Sequence, residues 1–257
     1  MTLQTQAQVF RSLHTAPEIL EMVNIWDAIT AKVVSDHPKT RALATAGHGI
    51  AAAHGYADGE KIPLDLVIST LAEITSVTDL PVTADLDGGF GNAGETVRRA
   101  IGVGIVGANI EDQLRPLDES ISVVRAALAA GTAEGIDFVL NARTDAFTRG
   151  ADRSLDEKIA DAIERGRAYI AEGATTVFVP GKLDRDTTEQ LVAGIGERKV
   201  SVIGVPGSLT AKEYEALGVA RITYGPWVQN VALTALKRLT ESLYTGGVIP
   251  EDTEKLN

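Results

Sequence analysis

Residues 80–112 read LPVTADLDGGFGNAGETVRRAIGVGIVGANIED, and this stretch indicates the fold of the chain. An apolar run with β-branched residues at 80–87 is followed by an amphipathic pattern at 93–104 and then by a second apolar run at 106–112. Short strands that alternate with longer helices are typical of parallel sheets, in which each helix crosses back over the sheet. The stretch therefore predicts one strand–helix–strand unit.

The same alternation continues along the chain. The helical pattern at 154–173 begins with Ser154, a residue type that caps helices, and closes with Gly173, a residue type that ends them. Similar helical patterns occupy 64–78 and 226–247. Eight strands are predicted, at 22–28, 41–47, 80–87, 106–112, 137–143, 175–181, 199–205 and 220–225.

The number of these units favours one closed barrel. Eight strand–helix units in 257 residues match the size of a (β/α)8 barrel, the TIM barrel. Two smaller domains would also fit the length, but no Pro- or Ser-rich linker divides the chain. A doubly wound open sheet usually carries a glycine-rich phosphate loop after its first strand, and NIWDAIT at 24–30 is not such a loop. We therefore predict an α/β fold with a single barrel domain over residues 1–257.

Composition and charge argue against several classes of function. The chain has 35 acidic and 24 basic residues, a net charge of −11, and such a surface repels nucleic acids and anionic lipids. It shows neither the apolar run of a membrane helix nor the pattern of a secretory signal, so we expect a cytoplasmic protein without nucleic-acid or membrane partners. It contains no cysteine, which excludes disulfides, Cys-ligated metals and thiol nucleophiles.

Acidic residues stand at the ends of neighbouring predicted strands. Asp85 and Asp87 end the strand at 80–87, and Glu111 stands near the end of the strand at 106–112. Residues two apart on an extended strand point to the same face, so Asp85 and Asp87 are expected to point together into the barrel. Two carboxylates in one place repel each other unless a cation or an arginine lies between them. Carboxylate oxygens suit Mg²⁺ or Mn²⁺, so these three acids form a predicted metal site.

Other groups at strand ends could bind an anion. The guanidinium of Arg143 can hold a carboxylate or phosphate through two parallel hydrogen bonds, although a structural pair with Asp145 or Glu111 is the alternative. The small-residue turn at 44–49 lets backbone N–H groups approach an anion, and His48 within it is either an acid–base group or a solvent-side histidine. Asp85 and Asp87 also allow a structural interpretation as turn residues before a glycine-rich loop, because Asp and Gly are common in turns.

Five motifs, taken together and in this order, indicate a family. The combination resembles the isocitrate lyase and phosphoenolpyruvate mutase superfamily over most of the chain. This resemblance implies a (β/α)8 barrel whose last helix is often exchanged with a neighbouring subunit, in a homodimer or homotetramer. It further implies that a 2-oxo acid or its enolate binds a divalent cation and that a C–C or P–C bond is broken beside it. The motifs are ATAGHGIAAAHGYADG at 44–59, TADLDGGFGN at 83–92, GANIEDQ at 107–113, NARTDA at 141–146 and LGVARITYGPWVQNVA at 217–232.

The resemblance also assigns roles to single residues. Asp85 corresponds to the direct metal ligand, and Asp87 and Glu111 correspond to acids that hold metal-bound waters. Asp58, Glu111 and Arg143 form the implied catalytic set, in which Arg143 clamps the substrate anion. The implied substrate-binding residues are Trp26, Asp27, Thr45, Ala46, Gly47 and Arg143.

The chain departs from the family pattern in ways that bear on its activity. The lyases carry a mobile lid with a Lys-Arg-Cys-Gly-His sequence after the fourth strand, whereas this chain reads QLRPLD at 113–118 and continues directly into a helix. The lid Lys and Asn residues of the phosphonate enzymes are also missing. Ala46 stands where a substrate-binding Ser is frequent, and Ser201 stands where Asn is common. A smaller, more open pocket without a thiol acid is therefore expected.

These departures lead to a specific functional expectation. The residues implied to stabilise an enolate are present, while the lid residues that handle a large or phosphorylated leaving group are absent. We therefore predict a Mg²⁺- or Mn²⁺-dependent enzyme that acts on a small 2-oxo acid, with decarboxylation of oxaloacetate to pyruvate as the main hypothesis. The alternatives are phosphonomutase-like or phosphonopyruvate hydrolase-like chemistry, other C–C cleavage, and a 2-oxo-acid binding protein with little catalytic activity.

Overall fold

The computed structural model describes residues 1–256, and in it helices surround a parallel sheet. The nine strand segments in this range are β1 (Leu20–Glu21), β2 (Asn24–Ile25), β3 (Leu43–Thr45), β4 (Val82–Asp85), β5 (Gly107–Glu111), β6 (Val139–Arg143), β7 (Thr176–Phe178), β8 (Val200–Ile203) and β9 (Arg221–Thr223). The ten helices in the same range are α1 (Leu3–Thr15), α2 (Ala28–Ser35), α3 (Gly47–Ala53), α4 (Leu64–Ser76), α5 (Ala93–Gly102), α6 (Leu117–Ala133), α7 (Leu155–Ala171), α8 (Arg185–Ile195), α9 (Ala211–Ala216) and α10 (Trp227–Tyr244).

The sheet closes into a barrel because its first strand is shared between two neighbours. The segment 20–25 contains β1, which pairs with β9, and β2, which pairs with β3 at the other end of the strand order. Asn24 links the two ends of the sheet at this closing point, the barrel seam. Its Oδ1 accepts hydrogen bonds from the N–H groups of Tyr224 and Gly225, both at 2.7 Å, and its Nδ2 donates to the carbonyl of Thr45 at 3.1 Å. The predicted (β/α)8 barrel in a single domain is confirmed, and an open sheet is excluded.

Local sequence signals located helix ends more accurately than strand ends. At the start of α7, the Ser154 hydroxyl accepts the Glu157 N–H at 3.2 Å while Glu157 accepts the Ser154 N–H at 2.8 Å, which is the reciprocal capping box. Gly173 follows α7 with a φ of +105°, a conformation that favours glycine. The strand predicted at 80–87 is regular only as far as Asp85, because an apolar pattern does not show where a hydrogen-bond ladder stops.

The sequence patterns did not indicate α1, which covers the amino-terminal ends of the strands. Phe10 and Leu13 on its inner face are buried and pack with Val106 and Val139, which lie where β5 and β6 begin. The 13 residues of α1 have a polar average composition, so burial against the barrel stabilises this helix more than its own sequence does. With this end of the barrel covered, the carboxyl ends of the strands form the other face, where barrel enzymes have their active sites.

A layer of polar side chains lies inside the barrel, where branched apolar residues are more usual. The side-chain nitrogen of Asn141 donates to the side-chain oxygen of Asn109 at 2.8 Å and to the Ser201 hydroxyl at 3.3 Å, and the Thr176 hydroxyl donates to the side-chain oxygen of Asn141 at 2.7 Å. Arg221 donates to Asn109 at 3.2 Å from a completely buried position. Burial lowers the pKa of Arg221 to about 9. Ser201, a position noted as a departure from the family, thus belongs to this interior layer.

The last helix has an unusually apolar outer surface. Along α10, Val231 is 70% exposed, Leu233 is 52% exposed and Leu236 is 59% exposed, while Gln229 is buried and donates to the carbonyl of Gly49 at 3.0 Å. An apolar stripe of this kind on one helix is typical of a surface that contacts another protein. Among the described residues, no helix combines the length and the apolar character needed to cross a lipid bilayer.

Candidate functional site

A cavity of about 240 Å³ opens at the carboxyl ends of the strands. Its wall combines acids, two arginines and residues from both sides of the barrel seam. The cavity therefore contains most of the catalytic and metal-binding residues predicted from the sequence. The lining includes Asn24, His48, Asp58, Asp85, Asp87, Asn109, Glu111, Arg143, Arg149, Thr223 and Gly225.

Asp85 ends β4 and is held from the neighbouring strand. Its backbone N–H donates to the Thr45 hydroxyl at 3.1 Å, and its carboxylate Oδ2 accepts the N–H of Gly47 at 3.1 Å. A Cβ added at Gly47 would lie 3.2 Å from the Asp85 carboxylate and 3.3 Å from that of Asp87, so glycine permits the two acids to approach. Thr45 and Gly47 were predicted to contact substrate, and in the structure they position the acid predicted to bind metal.

Asp87 reaches the cavity by a different path from the one that the sequence suggested. An extended strand through residue 87 was expected to direct Asp85 and Asp87 to the same face. In the structure β4 ends at Asp85, and Asp87 has a φ of +48°, a left-handed conformation that is uncommon for residues other than glycine. Both side chains still line the cavity. The geometric reason given for their proximity was therefore wrong, although the proximity itself is present.

Glu111 at the end of β5 belongs to a closed ring of ion pairs. Arg143 contacts the Glu111 carboxylate at 2.9 Å and the Asp145 carboxylate at 2.8 Å. Arg149 contacts the second oxygen of each, at 3.2 Å for Glu111 and 3.0 Å for Asp145. The two carboxylates are almost completely buried, with 5% and 0% of their side chains exposed, so the two guanidinium groups neutralise charge that water cannot reach. Arg143 thus makes both structural pairs considered above, and it also lines the cavity.

Asp112 lies beneath this ring and connects several elements. One of its carboxylate oxygens accepts the N–H groups of Leu114 at 2.9 Å and Asp145 at 3.0 Å. The other accepts the Tyr169 hydroxyl at 2.7 Å and the Arg165 guanidinium at 3.2 Å, both from α7. Burial and the nearby Asp112 carboxylate raise the pKa of Tyr169. A single buried side chain therefore joins the ends of β5 and β6 to the helix outside them.

The acids of the cavity resist ionisation when no cation is bound. Burial is the main cause and raises the pKa of Asp85, Asp87 and Glu111. For Asp87 the neighbouring carboxylates of Asp85 and Glu111 add to this effect and bring its pKa to about 8. Arg143 opposes the rise for Asp85 and Glu111. Three carboxylates that repel one another in a cavity are the arrangement that a divalent cation stabilises.

The donor set fits a cation that keeps most of its water. Among residues 1–256, no group of three or more His, Asp or Glu side chains is arranged as a direct ligand set for a metal ion. A cation between Asp85 and Asp87 would therefore have fewer than three direct carboxylate ligands. Mg²⁺ commonly binds proteins through one or two carboxylates and retains several waters, so Asp85 as a direct ligand with Asp87 and Glu111 behind water fits this geometry.

The raised pKa of Asp87 predicts how metal binding depends on pH. The pKa of Asp87 is 3.8 in the unfolded chain and about 8 in the folded chain. Its protonated form therefore stabilises the folded chain fully below pH 3.8, and this stabilisation is lost as the pH rises through about 8. A cation favours the ionised form and reverses this loss. We expect Mg²⁺ to raise the Tm more at pH 8 than at pH 6, measured by thermal unfolding with and without the metal. An equal rise at both values would contradict a site that includes Asp87.

The connection after β5 is short and leaves the cavity open. The chain passes from Asp112 to the start of α6 at Leu117, and Gln113 and Leu114 between them both have a positive φ. The Arg115 guanidinium donates to the Gln113 side-chain oxygen at 2.7 Å, which fixes the turn. No segment of this connection is long enough to act as a lid, as the sequence indicated.

His48 and Asp58 lie on one side of the cavity. His48 Nδ1 is 3.6 Å from a carboxylate oxygen of Asp58, and about half of each side chain is exposed. Both residues line the cavity, so the predicted acid Asp58 stands close to the acids predicted to bind metal although it follows α3 in sequence. His48, considered as either a catalytic or a solvent-side group, is in contact with the cavity.

Of the six residues predicted to bind substrate, only Arg143 is among those that line the cavity. Asp27 caps α2, where its carboxylate accepts the N–H and the hydroxyl of Thr30, both at 2.8 Å. Trp26 packs against the hydrophobic core, and Ala46 is buried as the N-cap of α3. A role for Asp27 toward substrate disagrees with this geometry, because its carboxylate is used in the helix cap.

Arg149 and Asp112 belong to the candidate site, and neither was predicted from the sequence. Arg149 lies four residues beyond Asp145, outside the NARTDA motif, and a basic residue so close to a strand end could have indicated it. Asp112 follows Glu111 within a quoted motif, but neighbouring residues on a strand point to opposite sides, so its burial behind the site was predictable from that alternation.

Comparison with known proteins gives one family over most of the chain. A family model described as phosphoenolpyruvate phosphomutase matches residues 10–244. The solved structure of a candidate phosphonomutase from Burkholderia cenocepacia superposes with a TM-score of 0.86 and 37% sequence identity, over 92% of this chain and 99% of that one. The barrel fold is therefore shared with that protein.

Two curated relatives have stated activities. A 2-methylisocitrate lyase of Escherichia coli is 34% identical over 196 residues, which are 69% of this chain and 63% of that protein. The chain thus spans less than two thirds of the length of that relative. An oxaloacetate decarboxylase of Bradyrhizobium is 27% identical over 271 residues, which cover 100% of this chain and 91% of that protein. The names of these relatives describe a lyase and a decarboxylase.

Proposed function

The chain belongs to the phosphoenolpyruvate phosphomutase family, and from that premise we propose that it is a divalent-metal-dependent lyase that decarboxylates oxaloacetate to pyruvate. The observation that carries the proposal is the convergence of Asp85, Asp87, Glu111 and Arg143 on one open cavity. The oxaloacetate decarboxylase relative, which matches along the whole chain, supports the choice of reaction.

Some residues of the cavity position its acids, and others would bind the substrate carboxylate. Thr45 and Gly47 hold Asp85 in place, and the ion-pair ring fixes the position of the Glu111 side chain. Arg143 uses three N–H groups on the ring, through Nε and one N–H of each terminal nitrogen, and two remain for a substrate carboxylate. Because the guanidinium is fixed by buried acids, it is oriented before substrate arrives.

Decarboxylation suits this site better than cleavage with a larger leaving group. A divalent cation bound by the acids would supply Lewis-acid stabilisation of the negative charge that develops on the keto oxygen. The leaving group is CO₂, which needs no proton from the protein, so the reaction does not require the lid acid that the short connection after Asp112 lacks. One proton is then needed at the carbon that lost CO₂, and solvent can reach the open cavity.

Pyruvate formation tests this proposal directly. Purified protein with Mg²⁺ or Mn²⁺ and oxaloacetate should produce pyruvate faster than the same metal without protein, as followed by coupled oxidation of NADH by lactate dehydrogenase. The variant Asp186→Asn, changed at an exposed acid of α8, serves as the matched control and should retain the wild-type rate. Pyruvate release no faster than with metal alone would overturn the assignment.

Phosphonate chemistry is the second candidate, because a candidate phosphonomutase shares 37% identity with the chain. Including phosphonopyruvate and other 2-oxo acids in the same assay separates the two reactions. Turnover of phosphonopyruvate alone would favour the second candidate. Tight binding of oxalate without turnover of any member of the panel would instead favour a binding protein.

The exposed stripe on α10 supports a further part of the proposal, a homodimer or homotetramer. Val231, Leu233 and Leu236 present apolar side chains on the outside of that helix. A second copy of the chain would bury them, and light scattering of the purified protein measures the number of subunits.

A further inference from the structure

Arg149 stands at the cavity without an assigned role. It lies in the connection between β6 and α7, and its side chain is 49% exposed, compared with 22% for Arg143. Both guanidinium groups line the cavity. The site therefore contains a second arginine that is fixed at one edge and open to solvent at the other.

The hydrogen bonds of Arg149 leave most of its donors free. Its Nε donates to Asp145 at 3.0 Å and one terminal nitrogen donates to Glu111 at 3.2 Å. A guanidinium has five N–H groups, so three remain on a side chain that is about half exposed. The buried acids orient the planar guanidinium and leave some of its N–H groups free. An arginine oriented in this way is prepared to bind a carboxylate.

A 2-oxo monocarboxylate does not need this second arginine. Its single carboxylate and its keto oxygen can be held by Arg143 and by a cation at Asp85. A second cationic fork on the wall of the same cavity is complementary to a second anionic group, and carboxylate geometry matches two parallel N–H donors. The short connection after Asp112 contributes no lid that could supply this contact.

We propose that Arg149 binds the second carboxylate of the substrate and thereby selects 2-oxo and 2-hydroxy dicarboxylates over monocarboxylates. The inference rests on the proposed function, since it assumes that the cavity takes a 2-oxo acid beside Arg143. Arg149 contributes to binding and not to bond cleavage, because the carboxylate that it holds loses its charge when CO₂ leaves. The variant Arg149→Met should therefore raise KM for oxaloacetate more than it lowers kcat.

A binding measurement tests the role of Arg149 without relying on turnover. The Mg²⁺-loaded protein is titrated by calorimetry with oxalate, whose two directly bonded carboxylates stand in for the carboxylate and keto oxygen of a 2-oxo acid, and with malate, which adds a distal carboxylate and is not decarboxylated. For Arg149→Met we expect the Kd for malate to increase roughly 10- to 100-fold, the range for a lost charge-assisted hydrogen bond, and the Kd for oxalate to change less than about twofold. Arg149→Lys should recover part of the affinity for malate.

The controls separate this role from a structural one. Arg153→Met removes an arginine of the same connection that pairs with Asp161 and is not among the residues that line the cavity, so it should leave both Kd values unchanged. Equal weakening of oxalate and malate by Arg149→Met would overturn the inference, because the side chain would then only hold Glu111 and Asp145. Wild-type binding of oxalate without malate would also overturn it. If the wild type binds neither ligand, the proposed function itself fails and the inference with it.

Discussion

Asp85→Asn should abolish the rise in Tm that Mg²⁺ gives the wild-type protein and should lower the turnover of oxaloacetate by more than roughly 100-fold, since even outer partners of a metal site contribute 10- to 100-fold. The change removes the negative charge from the acid that Thr45 and Gly47 hold in place. An asparagine there can accept the same N–H group, so the barrel should fold and the loss should be confined to the metal.

Thermal unfolding with and without Mg²⁺ measures the effect. A ligand at 100 times its Kd stabilises the folded state by about 2.7 kcal/mol, which is readily detected as a change in Tm. Asp186→Asn, which removes an exposed acid of α8, should retain the full effect of the metal. A Mg²⁺-dependent rise in Asp85→Asn equal to that of the wild type would refute the assignment of Asp85 as the metal ligand.

Asp112→Ala should produce the largest loss of folding stability, about 3–5 kcal/mol, because it breaks the buried ion pair with Arg165 and leaves the buried Tyr169 hydroxyl without its acceptor. The carboxylate is only 4% exposed and accepts bonds from Leu114, Asp145, Arg165 and Tyr169. Its removal leaves buried donors in the ends of two strands and in α7.

Urea unfolding measures this loss as a lower midpoint with an unchanged slope. Asp112→Asn keeps the shape of the side chain and should cost less than the alanine variant. Asp118→Ala, at an exposed acid in the first turn of α6, should change the free energy of unfolding by about 0.5 kcal/mol or less. A loss for Asp112→Ala no larger than that for Asp118→Ala would contradict the connecting role of Asp112.

The sequence predicted the barrel because strand and helix patterns are local. Residues that alternate along a few positions show the period of the element, and motifs at the strand ends showed which residues meet at one face. Asp85, Glu111 and Arg143 were found in this way, and they do line one cavity. The position of each strand end was less certain, so the left-handed turn at Asp87 was not anticipated.

The partners of each side chain could not be predicted, since they are distant in the chain. Gly47 and Asp85 are 38 residues apart, and the pattern around Gly47 indicated an anion site without showing which anion its N–H contacts. Asp27 was assigned to the pocket although its carboxylate caps α2, because a cap and a ligand-binding acid have the same sequence signal at a strand end. Arg149 reaches Glu111 over 38 residues and escaped notice for the same reason.

The seam at Asn24 has a consequence for the order in which the molecule is completed. Asn24 contacts Tyr224 and Gly225, residues 200 and 201 positions later, and contacts of such long range are the slowest to form. During synthesis the barrel cannot close until the last strand has been made and can pair with the amino-terminal strand. The acids and arginines of the site come from the first 149 residues, whereas Thr223 and Gly225 complete the cavity wall. The chemical groups of the site are thus made early, and the wall of the cavity is complete only after the final strand has been made.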